Sequence, residues 1–133
     1  MLSSRPVVLL VDDHQDTVAM YACGLSTMGF QPITATAVDE ALERACTCQP
    51  RVIVADLCMS VHSRFSLIHR LRADSRTRDI PIIVLTGFTL ASVRQQAREA
   101  GCQRFLLKPR LPDALAGEIR DVLLTAQETA SAV

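Results

Sequence analysis

Four short apolar runs, Val7–Val11, Val52–Ala55, residues 82–85 and residues 105–107, constrain this chain most, because each is strand-length and continuous rather than alternating. A strand with one wet face alternates apolar and polar residues, whereas one that is apolar throughout has both faces covered, the usual condition of a parallel sheet. Gln31–Ala35 is a weaker fifth candidate, suited to an edge.

Between the runs the apolar spacing becomes helical. Val18, Tyr21, Ala22, Leu25 and Met28 share one helix face, and Gly29 supplies a stop. Ala41, Leu42 and Ala45 repeat the pattern, as do Phe65, Ile68 and Leu71. Leu90, Val93, Ala97 and Ala100 form another face closed by Gly101; Leu115, Ile119, Val122 and Leu123 form the last, opened by Pro112. The order is five βα units, which right-handed crossovers turn into a parallel sheet with helices on both sides. Five units are too few for an eight-fold barrel, so the expected fold is α/β, an open, doubly wound, five-stranded parallel sheet with five helices. Such sheets bind ligands beyond the carboxyl ends of their strands.

At 133 residues and 49% hydrophobic content the chain holds one domain with a real core. That domain is expected over residues 7–124, with tails at 1–6 and 125–133, the second small and polar. Fourteen basic residues balance fourteen acidic ones, so no overall field points to nucleic acid or an anionic membrane. No apolar stretch approaches the roughly 20 residues of a membrane span. Five cysteines, an odd number, and no signal pattern before Arg5 point to reduced thiols and the cytoplasm. Cys46 and Cys48 lack the spacing of a zinc ribbon.

The residues that close the strong strands are Asp12 and Asp13, Asp56, Thr86 and Lys108, all on one rim of the expected sheet. Adjacent aspartates repel by roughly 4 kcal/mol at about 4 Å and an effective dielectric near 20, so the pair calls for a positive partner unless it merely caps the next helix. Carboxylates with no His or Cys on the rim suit magnesium, a hard ion that prefers oxygen. Asp56, alone at its strand end, is the candidate nucleophile toward a phosphoryl group, whose oxygens Lys108 and Thr86 would hold.

The motifs "LLVDD", "VIVAD", "IIVLTG" and "FLLKP", in that order, resemble the receiver domain of two-component response regulators, from about Val7 to Leu124. The resemblance implies a flavodoxin-like strand order of 2-1-3-4-5. It implies phosphoryl transfer to Asp56 from a histidine kinase or histidine phosphotransfer protein. Magnesium would be held by Asp13, Asp56 and the backbone carbonyl of Cys58, with Asp12 acting mainly through bound water and Lys108 pairing with Asp56 at rest. It also implies a shift of Thr86 toward the phosphoryl group, an inward turn of Phe105 and a cis bond between Lys108 and Pro109. The switch would alter the face made by the fourth helix, fifth strand and fifth helix. Such a domain signals and is not an enzyme beyond self-catalysed phosphotransfer and dephosphorylation.

The chain departs from the family's pattern after Asp56, with Ser60 where Pro is usual and Arg64 where Gly is usual, in the loop that carries the Cys58 carbonyl. Cys58 and Phe88 flank the expected path of water to the acyl phosphate and are poor at positioning it, which implies slow loss of phosphate. Arg94, Arg98, Arg104 and Arg110 would make a basic output face for an acidic partner, unless Glu99 and Asp113 neutralise it. The expectation is a stand-alone receiver acting on a partner protein, with no direct nucleic-acid contact and no membrane insertion. One alternative is a receiver-like interaction module that works without phosphorylation. A haloacid-dehalogenase-type phosphatase fits less well, because His14 stands where its second motif aspartate belongs and no cap insertion is present.

Overall fold

The computed structural model describes residues 5–57, 65–87 and 91–131, with side chains to residue 126. Its elements alternate throughout: β1 (Val7–Val11), α1 (Gln15–Ser26), β2 (Gln31–Ala35), α2 (Val38–Cys48), β3 (Val52–Ala55), α3 (Ser66–Ala73), β4 (Ile82–Thr86), α4 (Ala91–Ala100), β5 (Arg104–Leu107) and α5 (Pro112–Ser131). All pairings are parallel and the order is β2-β1-β3-β4-β5, the doubly wound arrangement with β2 at one edge.

Successive side chains of a strand point to opposite faces, so the inner strands feed two cores. Leu9, Val11, Ile53, Ala55, Ile82 and Val84 pack with residues of α2, α3 and α4 on one side. Val8, Leu10, Val52, Val54, Ile83 and Leu85 pack with α1 and α5 on the other. This is why the three inner runs are apolar without alternation. The edge strand β2 begins exposed at Gln31 and is fully buried only at Ala35.

Gly29 and Gly101 end their helices with positive φ, 92° and 117°. Helix α2 ends instead on Gln49, a non-glycine residue at φ 49°. Its side-chain amide donates to the carbonyls of Ala45 and Cys46 in the last turn of α2 and to that of Arg76 across the fold, which holds the left-handed turn. Helix α5 runs on to Ser131, through the stretch expected as a tail, where no glycine or proline stands to stop it.

Gly24 on α1 meets Pro112 at the start of α5: a Cβ at Gly24 would lie 2.4 Å from Pro112 Cβ and 2.8 Å from its Cγ. Alanine normally favours a helix by about 1 kcal/mol over glycine. The proline ring cannot swing aside, so Gly24→Ala is expected to destabilise the fold by about 1–2 kcal/mol net, read as a lower urea midpoint.

Candidate functional site

Strand register brings the rim together. Val11 lies opposite Ala55, and the Asp56 N–H donates to the Val11 carbonyl at 2.9 Å, so Asp12 and Asp56 leave neighbouring strands at one level. Thr86 lies opposite Leu107, and the Lys108 N–H donates to the Thr86 carbonyl at 2.8 Å. From there the Lys108 Nζ donates to Asp56 Oδ2 at 2.7 Å and to Asp12 Oδ2 at 2.8 Å. The expected pairing of Lys108 with Asp56 is therefore shared with Asp12.

The bridge is largely desolvated, with side-chain exposures of 7% for Asp12, 3% for Asp56 and 24% for Lys108. Burial works against the Lys108 ammonium, yet its bonds to the two carboxylates and their charges outweigh this, and its pKa stands above the ordinary lysine value. Burial alone would raise Asp12. The Lys108 hydrogen bond, the His14 backbone N–H, the lysine charge and the His14 ring together hold it below the usual carboxylate range.

Thr86 is fully buried at the end of β4. Phe105 is half-buried against the core under α4, and the Arg94 guanidinium lies 5.9 Å above its ring centroid. The Lys108–Pro109 bond is cis. Cys58, Ser60, Arg64 and Phe88 lie outside the described residues.

The sequence reading left histidine off the rim, and the structure corrects that. His14 Nδ1 lies 3.0 Å from Asp13 Oδ1 and 3.2 Å from Asp12 Oδ1, and the His14 backbone N–H donates to Asp12 Oδ1 at 2.9 Å. His14 closes no strand: it holds the cap position of α1, where its ring makes no capping bond. The same geometry disposes of the capping alternative for the aspartate pair, since Asp12 turns onto the His14 N–H and not into α1.

Another contribution was not legible in the sequence. Tyr21, assigned there only to the apolar face of a helix, donates its hydroxyl to the Arg110 carbonyl at 2.6 Å and so ties the segment after Pro109 to α1. With Thr17 and Val18 it lines a cavity of about 20 Å³ beneath Asp12, Asp56 and Lys108, room for about one water. Tyr21→Phe would strand that carbonyl, and a loss of about 1 kcal/mol in urea unfolding is expected.

The arginines about α4 and β5 are partly neutralised, and by other residues than expected. Arg104 Nη2 donates to Asp121 Oδ2 at 2.8 Å and Arg110 Nη1 lies 3.6 Å from Glu118 Oε2, both carboxylates on α5. Glu99 instead accepts from Gln95, and Asp113 from the Ala114 N–H.

Asp12, Asp13 and Asp56 against Lys108 leave a net charge of −3 + 1 = −2 when all are ionised, which a divalent cation would balance. The donor set fits such an ion: carboxylate oxygens of Asp12 and Asp13 lie, with a His14 ring nitrogen, within 4.8 Å of one another. Among the described residues no helix is long and apolar enough to cross a membrane.

A family profile described as the response regulator receiver domain matches residues 8–120. The transcriptional regulatory protein PrrA of Mycobacterium leprae is 34% identical over 128 residues, 96% of this chain and 54% of its own length. The phosphate regulon transcriptional regulatory protein PhoB of Escherichia coli is 30% identical over 116 residues, 87% of this chain and 51% of its own length. The chain thus spans about half the length of these curated relatives. Among solved structures, the chemotaxis protein CheY4 of Vibrio cholerae superposes with a TM-score of 0.82 at 30% identity, covering 88% of this chain and 98% of that one. A CheY-like receiver domain protein of Methanospirillum hungatei reaches 0.87 at 18% identity, a likeness of fold. With the rim geometry, these matches lead to one conclusion: the chain belongs to the receiver-domain family of two-component response regulators.

Proposed function

We propose that Asp56 accepts a phosphoryl group from a phosphohistidine on a histidine kinase or phosphotransfer protein, and that the change is reported through the α4, β5 and α5 face. The observation that carries this reading is the Lys108 ammonium bridging Asp56 and Asp12 at the strand ends. An Asp56 oxygen attacks phosphorus; the N–P bond breaks, its electron pair stays with the departing imidazole, and that ring takes a proton from solvent. Lys108 then moves its charge from the carboxylate to a phosphoryl oxygen. Asp12 and Asp13 would hold a divalent cation, Asp12 mainly through bound water, with Asp56 and the Cys58 carbonyl as the remaining protein ligands. Magnesium, when bound, neutralises charge on the phosphoryl oxygens.

The switch runs from Thr86, which follows the new acceptor oxygens, to Phe105, whose ring fills the space left behind. Because Arg94 lies on the Phe105 ring, an inward turn of that ring withdraws the support beneath an α4 side chain. Incubation with a small acyl phosphate and magnesium, followed by intact mass measurement, tests the reading. One phosphoryl adduct is expected in the parent and none in Asp56→Asn. A parent that stays unmodified would overturn phosphotransfer and favour the phosphorylation-independent interaction module.

A further inference from the structure

His14 has no part in the phosphotransfer reading, yet its ring is placed against the acidic pair. The side chain is 68% exposed, so no core packing explains the placement. The turn is set by the main chain, through the His14 N–H on Asp12 Oδ1 at 2.9 Å, and the ring lies over both carboxylates. Two neighbouring ligands of a six-coordinate ion with bonds of about 2.1 Å stand about 3.0 Å apart. The His14 Nδ1 distances of 3.0 Å and 3.2 Å match that spacing.

We infer that His14 is a metal ligand through Nδ1 and that it shifts this site from magnesium toward a first-row transition cation of the nickel, cobalt or zinc kind. The inference rests on the proposal that Asp12 and Asp13 hold a divalent cation. Magnesium is served by oxygen ligands and keeps its waters, whereas imidazole suits nickel, zinc, copper and iron, and divalent affinity at a mixed N/O site rises along the first row toward copper. Coordination uses the Nδ1 lone pair and leaves the ring proton on Nε2, which at this exposure is served by water. The hydrogen bond from Nδ1 to the carboxylates is then replaced by a coordinate bond within the same cluster.

Calorimetric titration of the full chain with nickel chloride and, separately, magnesium chloride tests this. In the parent nickel is expected to bind about 100-fold more tightly than magnesium, and in His14→Gln that ratio should fall by at least about tenfold, the lower end of what even an outer-shell partner is worth to a metal site. Nickel is paramagnetic, so in NMR of the parent the His14 ring signals should broaden before those of His62 and His69. A ratio retained in His14→Gln, sharp His14 signals with nickel bound, or nickel binding that persists in Asp13→Asn would each overturn the inference. The magnesium arm separates the two readings. A parent that binds magnesium but keeps its ratio in the variant removes only the role of His14, whereas a parent that binds neither ion removes the cation site as well.

Discussion

Replacing Arg72 with methionine is expected to lower the free energy of unfolding by about 3 kcal/mol, and replacing it with lysine by about 2 kcal/mol, both read from urea denaturation. Arg72 sits on α3, and its Nη1 donates to the carbonyls of Arg78 at 2.8 Å and Ile80 at 2.7 Å. Nε and Nη2 both donate to the Gly101 carbonyl, at 3.1 Å and 2.8 Å, and Nη2 also reaches Gln103 Oε1 at 2.9 Å. The same Gln103 oxygen accepts from the Ile82 N–H at 2.7 Å. One guanidinium thus joins α3, the approach to β4 and the turn before β5, at the amino ends of the strands. Gly101 belongs to the arrangement, because a Cβ there would stand 2.9 Å from Arg72 Nε.

Hydrogen bonds to a charged group contribute about 1.5–3 kcal/mol each, but bonds made by one side chain do not add, which sets the estimate well below their sum. Lysine brings the charge without the planar fork and cannot reach acceptors on three sides. A cost below about 1 kcal/mol for the methionine variant would mean that water replaces the guanidinium at these carbonyls.

Lys108→Met is expected to cost a further amount of similar size, about 3 kcal/mol near neutral pH, because it withdraws the ammonium from two nearly buried carboxylates. The pH dependence distinguishes this from lost packing. Asp12 is depressed in the fold, so its contribution is present above the ordinary aspartate range and lost as pH falls through its folded pKa. Lys108 is raised, so its contribution is present below the ordinary lysine value and lost as pH rises through its folded pKa. The difference between parent and variant should therefore be flat from about pH 5 to about pH 10 and narrow on both sides. Denaturation at neutral pH and near pH ~2, well below the ordinary aspartate value, measures the acid limb, and a difference that does not shrink there would show that charge is not its source.

Much of the architecture was legible in the chain. Continuous apolar runs such as "VIVA" and "IIVL" mark strands covered on both faces, and the helical spacing of Val18, Tyr21 and Leu25 marks the packed side of α1. These are local patterns, readable within a few residues. The end of α2 was not legible, because Gln49, not a glycine, takes the left-handed turn, held by bonds to the last carbonyls of α2 and to the distant Arg76 carbonyl. The partners of the arginines about β5 were not legible for a like reason: charge counts in sequence do not reveal that Asp121 and Glu118 on α5 reach Arg104 and Arg110.

By itself the sequence determined the order of strands and helices, the two-sided burial of the inner strands and the residue types gathered at their carboxyl ends, since periodicity and strand ends are properties of neighbouring residues. Only the tertiary structure decided what those side chains hold: Lys108 shared between Asp12 and Asp56, His14 laid over the acidic pair, Tyr21 on the Arg110 carbonyl and Arg72 on that of Gly101. A long polar side chain has many rotamers and many candidate acceptors, and only strand register and helix packing select among them.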